Sequence, residues 1–281
     1  MAIFYVNGFF KNHNEANISV QDRGFNFSDG VYELISFKNK RLILIEKHLE
    51  RLKKSLNSLG INQPFTNYFS LEIIINKLIR LNKLIDGYIY IQITRGSARR
   101  NHIFEKKLNQ NIVILSIPEQ NKKKIKNGVE VRTDLDIRWD RCDIKSISLL
   151  PNVLAKQQAH ETGFYETWQI RKSKITEGST SNAFIVDREN RILTHPKSPY
   201  ILSGVTRETV IEVARNNNYK VFEKSFGIDD VRKCKEAFLT STTVRILPVV
   251  KVDNHEINKK KIGTITKDLI KKFNDYIRKY D

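Results

Sequence analysis

Lys145 stands near the end of the segment Arg138-Trp139-Asp140-Arg141-Cys142-Asp143-Ile144-Lys145-Ser146, directly after an apolar residue. A lysine amine attacks a carbonyl only when neutral, and a nearby cation or an apolar pocket favours that form. In a chain this rich in lysine, any one of them is ordinarily a solvated surface group, and Lys156 is the local rival. Glu177 precedes Gly178 and the run Ser179-Thr180-Ser181-Asn182, and by itself reads as a surface carboxylate at a turn. Gly204-Val205-Thr206-Arg207 opens a helical stretch. A phosphate needs backbone N–H groups, a helix N-terminus, and hydroxyls or a guanidinium. Val205 and Thr206 stand where such amides would be, Ser241 and Thr242 end an apolar strand with hydroxyls, and Arg51 lies on the first helix. Each has a plainer reading: Thr206 as a helix cap, Arg51 as part of a solvated helix face, Leu202 as an ordinary core leucine. Tyr32, Arg100 and His102 are types that hold a carboxylate, Arg bidentately, Tyr and His as directional donors. Taken alone, Arg99-Arg100 reads as an exposed loop. Cys142 reads as a small packing residue.

The elements that must position these residues fall in two halves. Residues 46–59 and 69–82 carry apolar side chains at helical spacing, as in Leu49, Leu52, Leu56 and Leu59. Residues 1–10 read as a first strand, and 88–94 and 111–117 alternate or run apolar, as strands do. Residues 119–127 are polar and lysine-rich and read as a linker. Beyond it, 129–135, 164–170, 183–186, 191–194, 237–240 and 246–252 read as strands, and 153–161, 205–216 and 265–280 as helices. The expectation is therefore a mixed α/β (α+β) chain with an N-terminal α/β domain over 1–118 and a C-terminal α/β domain over 128–281 carrying Lys145. A cleft between two such domains is a common ligand site.

Composition narrows the function. No stretch approaches the length of a membrane-spanning helix, and the start lacks a basic leader, so neither a membrane anchor nor a signal peptide is expected. Cys142 and Cys234 match no metal or redox spacing, the histidines form no ligand pair, and a reduced cytoplasmic setting follows. The net charge of +18 raises the question of nucleic acid. The basic residues are dispersed, and the runs Lys122-Lys123-Lys124 and Lys259-Lys260-Lys261 have no interleaved aromatics, so no nucleic-acid partner is expected. A positive field would still draw anionic substrates inward. Phosphate-binding P-loops, dinucleotide glycine motifs, nucleophile elbows and zinc-helix motifs are all absent.

Seven segments taken together are more specific. They are Asp22-Arg23-Gly24, Asp29-Gly30-Val31-Tyr32-Glu33, Thr94-Arg95-Gly96 with Arg100-Asn101-His102, the segment ending at Lys145-Ser146, Thr176-Glu177-Gly178-Ser179-Thr180-Ser181-Asn182, Gly204-Val205-Thr206-Arg207, and Thr240-Ser241-Thr242-Thr243. Their order and spacing resemble the class IV pyridoxal-phosphate aminotransferases, most closely the D-amino-acid aminotransferases, over nearly the whole chain. The resemblance implies a two-domain fold with pyridoxal 5'-phosphate in the interdomain cleft. It makes Lys145 the Schiff-base lysine and Glu177 the partner of the pyridine nitrogen, whose protonated form is the better electron sink. It puts Arg51, Thr206 and Thr242 at the phosphate, Val205 and Ser241 among the cofactor-binding residues, and Leu202 against the ring. Tyr32, Arg100 and His102 would hold the substrate carboxylate, the last two reaching a neighbouring subunit's site in a homodimer. The implied reaction moves an amino group between a D-amino acid, D-alanine or D-glutamate, and a 2-oxo acid, pyruvate or 2-oxoglutarate. A branched-chain L-amino-acid aminotransferase or an aminodeoxychorismate lyase on the same scaffold is the alternative, but branched-chain enzymes lack the Arg-x-His pair. One departure is local: Ala98-Arg99 stands where a proline is expected near the arginine.

Overall fold

The structure, a computed structural model, describes residues 2–65, 67–105, 107–119 and 125–280. Of the expected linker, 120–124 lie outside the described residues. The chain divides into two compact units, Met1–Asn121 with Ile144–Ser148 and Tyr280–Asp281, and Lys122–Asp143 with Leu149–Lys279. Among the described residues no helix is long and apolar enough to cross a membrane.

The first unit contains β1 (Ile3–Val6), β2 (Phe9–Asn12), α1 (Arg23–Phe27), β3 (Gly30–Lys38), β4 (Arg41–Leu42), α2 (Ile45–Ser58), α3 (Tyr68–Leu81), β5 (Gly87–Thr94) and β6 (Asn111–Pro118). Its sheet runs β2-β1-β6-β5-β3-β4, antiparallel throughout. The stretch read as one first strand is a hairpin, because the two-residue Asn7-Gly8 turn folds Phe9 back opposite Val6. Strand β3 alternates: Val31, Glu33, Ile35 and Phe37 are buried, and Tyr32, Leu34 and Ser36 only half so. Strand β5 does the same with Ile89, Ile91 and Ile93. These residues form one core with Leu49, Leu52 and Leu56 of α2 and Leu71, Ile75 and Leu78 of α3. The period of two thus commits Glu33 to the core face and Tyr32 to the opposite one.

Lys145 belongs to this first unit, not to the second as the sequence boundary implied. Strand β4 pairs only with Phe37 and Lys38, so the start of β3 has an edge to fill. Ser146 bridges Val31, Tyr32 N donates to Lys145 O at 3.0 Å, and Ile147 N donates to Gly30 O at 3.1 Å. Ile144 is buried in the first unit's core.

The second unit contains β7 (Val129–Leu135), α4 (Leu150–Glu161), β8 (Glu166–Arg171), β9 (Lys174–Gly178), β10 (Asn182–Val186), β11 (Ile192–Thr194), α5 (Val205–Asn216), β12 (Val221–Glu223), α6 (Ile228–Lys233), β13 (Glu236–Ser241), β14 (Arg245–Val252), β15 (His255–Glu256) and α7 (Thr264–Ile277). The sheet is mixed, in the order β12-β11-β10-β13-β14-β7-β8-β9, with β15 beside β14. Trp168, Ile185, Leu239 and Val249 are in its core. Glu177, read as a turn residue, lies inside β9, which pairs with β8 by way of Trp168 opposite Gly178.

Between β5 and β6 the first unit carries the loop with Arg100 and His102, and its base turns at Gly96 (φ 119°). A Cβ there would stand 2.1 Å from Asn109 O. Gly96→Ala should lower stability by about 2–3 kcal/mol through strained φ and collision with the backbone. Urea unfolding of both proteins measures this, and an unchanged midpoint would contradict the turn geometry.

Candidate active site

In the first unit the alternation of β3 sends Glu33 against α2, where His48 and Arg51 meet it. Glu33 is fully buried. His48 Nδ1 lies 2.7 Å from Glu33 Oε2, while Arg51 Nε donates to Oε1 at 2.7 Å and Nη2 to Oε2 at 3.0 Å. Burial alone would raise the Glu33 carboxyl, but Arg51 and His48 hold it down to about 2. Burial lowers His48, with Arg51 and Lys145 acting in the same direction against the pull of Glu33. Arg51 is therefore not the solvated helix residue of its plainer reading.

On the other face of β3, Tyr32 lies beside Tyr90, with ring centroids 5.8 Å apart. The Lys145 Nζ is 4.1 Å from the Tyr32 ring centroid, within cation–π range. Lys145 N donates to Ser55 Oγ on α2 at 3.2 Å, so the segment is fixed from strand and helix sides. Lys156, the rival, instead donates to Tyr165 O, at 2.5 Å. Arg100 and His102 are exposed and lie over Phe27, at 5.1 and 5.4 Å from its centroid. Among the described residues neither has a hydrogen bond to Tyr32.

In the second unit Glu177 is 5 % exposed. Arg138 Nη1 donates to Oε1, while Asn182 Nδ2 (2.9 Å) and Leu202 N (3.0 Å) donate to Oε2. Burial pushes the Glu177 carboxyl up to about 7, against the downward pull of Arg138 and the Leu202 amide. Asn182 also donates to Leu202 O at 2.9 Å, so it ties Glu177 to the turn that leads into α5. Gly204 is the N-cap of α5 and no side chain caps that end; Thr206 is the second helical residue, not the cap. A Cβ on Gly204 would lie 2.2 Å from Asn182 Oδ1, so the turn can sit this close only with glycine there. Asn182 in turn is opposite Thr240 in the β10–β13 register, which puts Ser241 at the neighbouring strand end and Thr242 in the turn beyond. Among the described residues the buried Thr240 hydroxyl has no hydrogen-bond partner. Cys142, whose thiol burial pushes up to about 11, donates to Trp139 O and packs as expected.

Sequence reading missed the residues that hold these groups. Arg138 and Asn182 lay in quoted segments but had no role. Glu33 is visible only through the strand period, which placed a carboxylate at an inward position. Glu166 gave no signal, although it is fully buried and accepts from Ser179 Oγ (3.1 Å), Thr180 N (2.6 Å), Thr180 Oγ1 (2.7 Å) and Ser181 Oγ. It fixes the loop directly after Glu177.

The profile of the family described as amino-transferase class IV matches residues 30–252. A D-alanine aminotransferase from Staphylococcus aureus is 38% identical over 282 residues, covering 100% of this chain and 99% of that protein. One from Bacillus licheniformis is 37% identical over 264 residues, covering 94% and 93%. The crystal structure of the Escherichia coli branched-chain amino acid aminotransferase superposes with a TM-score of 0.90 at 20% identity, covering 98% of this chain and 94% of that one, which shows the fold. The chain belongs to the class IV aminotransferase family.

The raised Glu177 carboxyl has a consequence for stability. Between the ordinary carboxylate range and about 7 the folded chain keeps a proton that the unfolded chain gives up. Stability therefore falls as pH rises through that window, at a slope of up to about 1.4 kcal/mol per pH unit. In cofactor-free protein, Glu177→Gln should flatten this part of the profile, read from urea midpoints between pH 5 and 8. A profile identical to wild type would remove Glu177 as the titrating group.

Proposed function

We propose that this enzyme transfers the amino group of a D-amino acid, D-alanine or D-glutamate, to pyruvate or 2-oxoglutarate with pyridoxal 5'-phosphate. The observation that carries the reading is the 38% identity to a D-alanine aminotransferase over the entire chain. The branched-chain structure at 20% shares the fold alone. Both cysteines are free, in keeping with the cytoplasmic setting that is part of this reading.

The residues fit the cofactor. The uncapped N-terminus of α5, with Val205 and Thr206, and the hydroxyls at Ser241 and Thr242 are what a phosphate requires. Arg51 would add its guanidinium, and Leu202 an apolar surface for the ring. A buried carboxylate poised near 7 is strongly stabilised as the anion by a cationic ring N–H, so Glu177 would hold that proton on the ring. Lys145 would carry the cofactor covalently. When bound, pyridoxal phosphate supplies an aldehyde that accepts the amino group and a ring that takes up the Cα electron pair.

The chain's own part is positioning and proton movement. Lys145 Nζ takes the proton from the substrate Cα and returns it in the reverse half-reaction. Arg138, Asn182 and the Leu202 amide keep Glu177 in place while it holds the ring proton. Arg100, His102 and Tyr32 bind the carboxylate that amino acid and oxo acid share. D-Alanine should be a far better donor than L-leucine, and Arg100→Ala should raise KM for both substrates by about tenfold or more, the loss of a charge-assisted pair. Steady-state kinetics on a D- and L-amino-acid panel checks this, and preference for L-leucine would support the branched-chain alternative.

The exposed position of Arg100 and His102 suits a homodimer in which each loop serves the partner's site. Lys145→Ala and Arg100→Ala chains, each nearly inactive, should then complement when mixed. With random pairing about half the dimers are mixed and about a quarter of wild-type activity returns, because two-fold symmetry rebuilds one complete site per mixed dimer. Recovery no greater than the sum of the two mutants, in a sample shown to contain mixed dimers, would place Arg100 in its own chain's site.

A further inference from the structure

The loop that carries Arg100 and His102 has no helix or strand between 99 and 105 among its described residues. Both side chains are exposed, and Arg100 makes no ion pair among the described residues. Two ligands on a strand-free loop hold a carboxylate well only if something fixes the loop. Beneath it lies a buried guanidinium that the proposed chemistry does not use. Arg23 is 4 % exposed. Its Nη1 donates to Asn101 O at 2.6 Å, its Nη2 to His102 O at 3.3 Å, and its Nε to Asp29 Oδ2 at 2.9 Å.

We propose that Arg23 is the positioning residue of the carboxylate-binding loop, setting Arg100 and His102 by holding the backbone carbonyls of Asn101 and His102. The proposal rests on the reading of those two residues as carboxylate ligands.

The surroundings of Arg23 are rigid enough for the task. Asp29 Oδ2 also accepts from Arg95 Nε at 2.8 Å, and Arg95 donates to Gly60 O and Leu59 O just past the C-terminal end of α2. A cation is favoured there by the helix dipole. At the base of the loop, Arg23 N donates to Gly96 O and Ala98 N to Gln21 O. Asp22 accepts from Thr94 Oγ1 and from Asn111 Nδ2. Phe27 forms a shelf, with the Arg23 guanidinium 4.7 Å, Arg100 5.1 Å and His102 5.4 Å from its centroid. A planar fork aims separate donors at three acceptors; a lysine has one nitrogen and cannot reach all of them. The segments Asp22-Arg23-Gly24, Asp29-Gly30 and Thr94-Arg95-Gly96 thus serve one purpose.

The test uses Arg23→Lys in the holoenzyme, which keeps a cation against Asp29. KM for D-alanine and for 2-oxoglutarate should rise together by about tenfold, the equivalent of one hydrogen bond to a charged group. The kcat should stay within about twofold, because the chemistry at Lys145 is untouched. In an Arg100→Ala/His102→Ala background, Arg23→Lys should add no further rise. A second readout needs no variant: in wild type the Ile103 amide, which donates to Asn101 Oδ1, should exchange with solvent well below the free-peptide rate. The positioning role is overturned if Arg23→Lys leaves KM unchanged where Arg100→Ala raises it, if its effect is equally large in the double-alanine background, or if Ile103 exchanges like a free peptide. If Arg100→Ala itself leaves both KM values unchanged, the carboxylate reading fails and the positioning proposal fails with it.

Discussion

A carboxylate removed from water must be met by donors or it takes up a proton. Four carboxylates of low exposure organise the functional segments of this chain, each held by more than one donor. Glu33 binds α2 to β3 through His48 and Arg51. Asp29 joins Arg23 to Arg95. Glu166 gathers the hydroxyls of Ser179, Thr180 and Ser181. Glu177 draws together Arg138, Asn182 and the Leu202 amide. Breaking a buried charged pair from one side costs about 3–5 kcal/mol, so the Glu33–Arg51 tie fixes α2 on β3 more firmly than apolar contact would.

Two of these carboxylates differ in outcome for a structural reason. Glu33 is held down to about 2. Glu177, equally enclosed, is pushed up to about 7 although a guanidinium touches it. The difference lies in how that guanidinium is shared. Arg138 gives Nε and Nη2 to Asp136 and only Nη1 to Glu177, and the Asp136 charge itself raises the Glu177 carboxyl. Arg51 instead gives both its Nε and its Nη2 to Glu33. One site is thereby already neutralised, and the other responds strongly to a further cation.

Much of this was legible in the sequence where the signal is local. The helices over 46–59 and 69–82 follow from leucine and isoleucine spacing, because a helix face repeats within a few residues. The Asn7-Gly8 turn was missed, because it interrupts a short apolar run that otherwise reads as one strand. What was not legible depends on pairing across long separations. The edge of β3 that receives Ser146 exists because β4 is only two residues long, a fact of the sheet and not of the segment around Lys145. Glu177 read as a turn residue because glycine, serine and threonine follow it, whereas the pairing of β9 with β8 makes it a strand residue. Glu166 carried no signal, since its four donors come from residues 13–15 positions further on.

Arg51 shows what a phosphate would meet in the first unit. Burial lowers the His48 imidazole against the pull of Glu33, and the ion pair of Glu33 with Arg51 has no net charge. An incoming phosphate therefore finds an oriented guanidinium but little excess positive charge in this cluster. Attraction must come mainly from directed N–H groups. The uncapped N-terminus of α5 offers these, together with the partial positive charge of the helix end. Arg51, already fixed by Glu33, adds direction without the entropy loss of ordering a free side chain. On the proposed reading, the α5 terminus would supply the field and the Glu33–Arg51 pair a rigid donor.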